Sequence, residues 1–132
     1  MHKTAVLLAA AVVLAGCDSA PVKEVRDTFS GMFQESKGEA DLKAGLRSYE
    51  NGNYNESLKQ LQSALDQGLT KSSQLQAHKH LAFIHCASGR QGPCRNEFRK
   101  ALTIDPAFEL TPAEAGHPLW GPVFAKEKAR TK

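Results

Sequence analysis

Five residues early in this chain are answered, in order and at constant spacing, by five later ones. Gly45, Gly52, Tyr54, Leu61 and Ala64 stand 37 positions before Ala82, Gly89, Gln91, Phe98 and Ala101. Around both sets, apolar residues recur with the 3.6-residue period of an amphipathic helix. Residues 39–50 put Leu42, Leu46 and Tyr49 on one face, and residues 54–67 do the same with Tyr54, Leu58, Leu61, Ala64 and Leu65. Residues 71–88 carry Leu75, Leu81, Phe83 and Ile84, and residues 94–104 carry Phe98, Ala101 and Leu102. Asn51-Gly52-Asn53 and the run from Gly89 to Pro93 are turn signals. Gly68 suits a helix stop, and Pro106 disfavours helix at Asp105. No run alternates with period two over any useful length. The pattern predicts an all-α fold of two helical hairpins, each able to bury its apolar face only by stacking on the other.

Paired helices repeating near this length point to a tetratricopeptide arrangement, whose usual period is about 34 residues. The longer spacing here places a loop with three extra residues near Leu69 to Ser73. Gly45 and Ala82 let the first helix of each pair approach the second, and Ala64 and Ala101 serve between units. Both copies are degenerate: Ser57 and Cys94 stand where Ala is usual, and no Trp opens either unit. A generic bundle of helical hairpins is the competing reading. Beyond Pro106, Thr111-Pro112-Ala113-Glu114 carries the marks of a helix start, with Thr111 as N-cap, Pro112 at N1 and Glu114 at N3. After Gly116-His117-Pro118, the run from Trp120 to Phe124 opens a final helix that ends in a basic tail. This C-terminal helix caps the last apolar face, as stacked repeats require.

The N-terminus carries a different signal. Lys3 precedes a nearly unbroken apolar run to Ala15, which is long enough for a signal-peptide core and shorter than the ~20 residues of a membrane-spanning helix. Leu14-Ala15-Gly16-Cys17 matches a bacterial lipobox, in which the thiol of Cys17 accepts a diacylglyceryl group. The chain is thus expected to divide into a lipoprotein signal peptide (1–16), a lipidated tether (17–38) and a helical domain (39–132). Within the tether, residues 22–35 form an amphipathic stretch suited to packing on the domain, to a partner or to a membrane surface.

Removing Cys17 from the three cysteines leaves Cys86 and Cys94, an even remainder in an oxidising compartment, which points to one disulfide. The alternative is that Cys94 replaces a small Ala and Cys86 is a buried free thiol. His78, His80 and His85 lie near both cysteines. A Cys-x7-Cys spacing is unlike a zinc site, and no acidic residue in this helix orients an imidazole. The sequence therefore predicts no metal and no cofactor. No phosphate loop, nucleophile elbow or His-Glu-x-x-His motif is present, so it predicts no enzyme and no catalytic residue. The net charge of +3 is small and its Lys and Arg are interspersed with acids, which speaks against nucleic acid. The first helices of the two pairs would place Leu42, Leu46, Tyr49, Lys79 and Phe83 on a partner-binding groove. The alternative for Leu46 and Phe83 is ordinary core.

The run from Lys79 to Cys86, with Cys94-Arg95, Phe98 to Leu102, Asp105 to Leu110 and Glu114 to Phe124, resembles a small tetratricopeptide lipoprotein family associated with type VI secretion. With the lipobox, the resemblance covers the signal peptide and roughly residues 42–124. It implies an accessory envelope role, with secretion-system components as protein partners. It also implies a lipid anchor facing the periplasm, with the outer membrane favoured over the inner. A structural envelope lipoprotein without a peptide groove is the alternative.

Overall fold

Two turns with the same hydrogen bonding organise the chain. Asn53 N–H donates to Ser48 O and Gly52 N–H to Tyr49 O, and the pattern recurs with Arg90 to His85 and Gly89 to Cys86. This is a Schellman ending. It needs a left-handed residue, which Gly52 (φ 76°) and Gly89 (φ 73°) supply. The pairing of these glycines in the sequence repeat thus reflects one backbone requirement met twice.

The computed structural model describes residues 36–132. The signal peptide, Cys17 and the 22–35 stretch lie outside the described residues. Six helices follow in order: α1 (Glu39–Glu50), α2 (Tyr54–Gln67), α3 (Lys71–Ala87), α4 (Gln91–Ile104), α5 (Pro112–Ala115) and α6 (Gly121–Ala129). The described residues contain no strand, and none of their helices is long and apolar enough to cross a membrane. The all-α expectation holds.

Helix α1 packs on α2 and α3 on α4, α3 also meets α1 and α2, and α6 closes against α4. The close approach inside the first hairpin is written into Gly45, where a Cβ would sit 2.8 Å from the Leu61 side chain. At the same contact Ser57 Oγ donates to Gly45 O at 2.7 Å, so this hydroxyl ties α2 to α1. Position 94, its counterpart in the second hairpin, is also used as a tie. Cys86 and Cys94 face each other at disulfide-bonding distance, with Cα atoms 5.1 Å apart.

The core has two parts. Leu42, Leu61, Ala64, Leu69, Ala77, Leu81 and Ile84 form one. Ala82, Phe83, Cys86, Cys94, Phe98, Leu102, Leu110 and Phe124 form the other. Helix α3 feeds both, with Ala77, Leu81 and Ile84 in the first and Ala82, Phe83 and Cys86 in the second.

Three expectations need correction. The extra length between hairpins is not a loop at Leu69 to Ser73. Only residues 68–70 separate α2 from α3, and Lys71 to Ser73 form the first turn of α3, whose N-cap Thr70 accepts from Ser73 N–H. Helix α3 runs to 17 residues, against 12 in α1. Helix α4 begins at Gln91 rather than Cys94, because Pro93 falls in its first turn, where a missing N–H costs nothing. The packed body also begins slightly before residue 39: Gly38 is buried and donates to Gly68 O at 3.1 Å.

Candidate functional site

The C-terminal segment returns across α3. Its first turn is fixed as the sequence predicts. Thr111 Oγ1 accepts from Glu114 N–H at 3.3 Å and the Glu114 carboxylate accepts from Thr111 N–H at 3.0 Å, a reciprocal capping box. The other Glu114 oxygen accepts from Lys79 Nζ on α3 at 2.7 Å. Partial burial acts to raise the Glu114 pKa, but the Lys79 ammonium and the Thr111 amide outweigh it and hold the carboxyl below its ordinary value. Six residues on, the Trp120 indole donates to Glu114 O at 2.9 Å and stacks on Phe83, centroids 4.3 Å apart and 22° from parallel.

These contacts complete an aromatic row along the α1/α3 face. Tyr54 leads to Tyr49 (5.7 Å), His80 (5.0 Å), Phe83 (5.8 Å), Trp120 (4.3 Å) and His117 (3.4 Å). Tilted and edge-to-face aromatic pairs at centroid spacings of roughly 4.5–7 Å, such as Tyr49 with Tyr54, add about 0.5–1.5 kcal/mol beyond area burial. Tyr54 at one end is 45% exposed, and Leu119 beside the other end is 47% exposed.

Of the five residues expected to face a partner, Tyr49 and Lys79 lie at this row, each partly exposed, and Leu46 is partly exposed on α1 but packs against the first core. Leu42 and Phe83 are 3% exposed and belong to the core. Leu42 packs with Leu61 and Leu81, and Phe83 lies under Trp120. What sequence reasoning missed is that the chain supplies Glu114 and Trp120 to the same face. The capping box was legible, but its landing place depends on a contact between residues 35 apart.

His80 sits in the row between Tyr49 and Phe83, with Nδ1 2.8 Å from Gln76 O. Burial lowers its pKa, and the hydrogen bond to Gln76 offsets this only in part. His85 is lowered as well, by burial and then by Arg90. Below the ordinary value of 6.5 the unfolded chain therefore takes up protons before the folded one does. Stability should decline as pH falls from about 6.5 toward the folded pKa values. Replacing His80 with Phe should flatten that decline, leaving the part due to His85. Urea midpoints at pH 7 and pH 5 read the difference, and identical pH slopes in both proteins would contradict it.

The opposite side of α3 faces a polar groove. His78 Nδ1 lies 2.6 Å from Glu97 Oε2, and Lys100 Nζ donates to Glu97 Oε1 at 2.8 Å. Burial acts to raise the Glu97 pKa, but His78 and Lys100 prevail and hold it low. The carboxylate that orients His78 thus comes from α4, where a search confined to one helix does not find it. His78 and His85 line one groove with Pro93, Asn96 and Lys100. His80 faces the aromatic row instead. Among the described residues, no group of three or more His, Cys, Asp or Glu side chains could hold a metal ion. Cys86 and Cys94 are 2% and 0% exposed, and face each other rather than a histidine.

A buried carboxylate closes α6 on α4. Glu127 is fully buried, with Arg99 Nε at 3.2 Å and Arg130 Nη1 at 3.5 Å. Neither carboxylate oxygen receives a well-aligned hydrogen bond. The two guanidinium groups therefore neutralise it as charges, not as a bidentate fork.

Comparison of the chain with protein-family models, with curated proteins and with solved structures gives no match.

Proposed function

We propose that this protein is a lipid-anchored, non-catalytic adaptor of the bacterial cell envelope. In this reading it is built on two tetratricopeptide-type hairpins with a C-terminal cap, and it binds a protein partner on the α1/α3 face. The observation that carries the reading is the aromatic row on that face, beside the partly exposed Lys79. Partly exposed aromatic rings are enriched at protein recognition surfaces. The succession of packed helices, α1 on α2 on α3 on α4, supports the repeat assignment, as do the twin Schellman turns.

The anchor rests on the lipobox at Leu14 to Cys17, and two or more acyl chains hold a protein to a bilayer far better than one. An accessory role in type VI secretion, with its envelope components as partners and the outer membrane as the site of attachment, rests on the family resemblance of residues 79–124 and the lipobox. One observation favours the alternative of a structural lipoprotein without a groove: the chain's own Trp120 and Glu114 cover part of the face.

Cell fractionation tests the anchor. The Cys17→Ser variant is expected in the soluble periplasmic fraction, with wild type in the membrane fraction. A variant that still sediments with membranes sinks the anchoring claim. For the adaptor claim, a photo-crosslinking residue at Tyr54 is expected to capture a secretion-system envelope component in cells. Capture equal to that from a residue at Lys59 on α2 would show that the face has no special role.

A further inference from the structure

The segment across α3 is held lightly for something that covers a binding face. Both its ends are rooted in the core, at Leu110 (8% exposed) and Phe124 (5% exposed). Between them, residues 111–120 place only Glu114, His117 and Trp120 even partly out of solvent. Its attachments to α3 are two: the ion pair of Glu114 with Lys79 and the stack of Trp120 on Phe83. The rest of its order is internal, from the capping box, the Trp120 Nε1 bond to Glu114 O and the stacking of His117 on Trp120. A segment with few buried contacts between firm anchors belongs to the low-stability end of local opening.

What it covers is half of a continuous surface. The row runs on from Phe83 through His80 and Tyr49 to exposed Tyr54, with no break at the edge of the segment. The chain's own occupant shows what the covered half recognises: a carboxylate on Lys79 and, six residues later, a flat ring on Phe83.

We infer that residues 111–120 are a strap standing in for the partner, and that the α1/α3 face takes a protein segment with an acidic residue six positions before an aromatic one. This deepens the adaptor reading and rests on it. Such a segment displaces the strap, seats its acid on Lys79 and its ring on Phe83, and continues over Tyr49 and Tyr54. The closed strap lowers apparent affinity by the fraction of time the face is open, so only a segment of matching chemistry, or a high local concentration, engages it.

The test uses the full mature chain carrying Cys17→Ser and a fluorescein-labelled peptide of residues 111–122 as probe, read by anisotropy. Trp120→Ala removes the stack. Glu114→Gln removes only the ion pair and keeps the indole in place, so it guards against a folding defect in the first variant. Both are expected to bind the probe more tightly than the parent chain, roughly tenfold for a strap open a tenth of the time. Adding Lys79→Ala to Glu114→Gln should abolish the gain. Equal affinity in all these chains, or a gain indifferent to Lys79, overturns the inference. Strap-released variants that sediment as dimers would put a second copy in the slot and overturn it too. Capture of a partner at Tyr54 that is unchanged by Glu114→Gln would leave the adaptor reading standing without the strap. Strap-dependent probe binding without capture would do the reverse.

Discussion

Replacing Phe98 with Ala should destabilise the domain by about 3–5 kcal/mol, the usual range for deleting a buried aromatic ring. Phe98 is 0% exposed and lies where three elements meet. Its ring is 6.2 Å from that of Phe83 on α3 and 5.2 Å from that of Phe124 on α6, both edge-to-face. Deleting the ring removes buried apolar area, leaves a cavity that the facing helices can only partly close, and breaks two aromatic contacts. A domain of this size is stable by only about 5–15 kcal/mol, so the variant should lose a large share of its stability. Its thermal midpoint should fall by more than about 10 °C. The effect should reach the strap, because Trp120 stacks on the same Phe83 that rests on Phe98. Tyr54→Ala, at a 45% exposed ring, is the control and should shift the midpoint far less. Comparable shifts in the two variants would mean that Phe98 is not the centre of the second core.

The second large effect concerns Cys86 and Cys94. They sit at the end of α3 and in the first turn of α4, eight residues apart. The chain-entropy account gives about 2–3 kcal/mol for closing so short a loop. The Schellman turn at Gly89 already reverses the chain between them, so any hairpin surviving in the reduced, unfolded chain lowers the gain. The Cys86→Ala, Cys94→Ala double variant should therefore be less stable than the oxidised protein by up to about 2–3 kcal/mol and unfold at a lower denaturant concentration. Reductant should lower the midpoint of the wild type and leave that of the double variant unchanged. Intact mass after alkylation under denaturing conditions supplies the chemical check. An oxidised pair takes up no reagent until reduced, whereas free thiols react at once, and that outcome would remove the bridge from the account.

The two candidate surfaces differ in how far they were legible. The helices, the turns at Gly52 and Gly89, the Gly68 stop, the Thr111–Glu114 capping box and the proximity of Cys86 to Cys94 could all be read before any fold was known. Each depends on residues a few positions apart, so backbone geometry alone ties them together. Leu46 and Tyr49 share one side of α1 through their three-residue spacing, but the repeat does not carry exposure over: Lys79 is partly exposed where its counterpart Leu42 is buried, and Phe83 is buried where its counterpart Leu46 is partly exposed. Phe83 shared that periodicity, and no local rule could say that an indole 37 positions away would cover it.

The sequence by itself therefore determined an all-α chain with paired helices, the caps and turns that bound them, and a pair of cysteines in reach of each other. Tertiary structure decided the rest. The Glu97 carboxylate comes from α4 to meet His78, 19 residues distant. Glu127 is carried into the interior between Arg99 and Arg130, although its neighbours Lys126 and Lys128 make it look like part of a solvated tail. Glu114 and Trp120 land on α3. These contacts join residues whose approach depends on how α4, α5 and α6 stack. That stacking is set by buried area and shape complementarity summed over whole helix faces, which a spacing of a few residues does not encode.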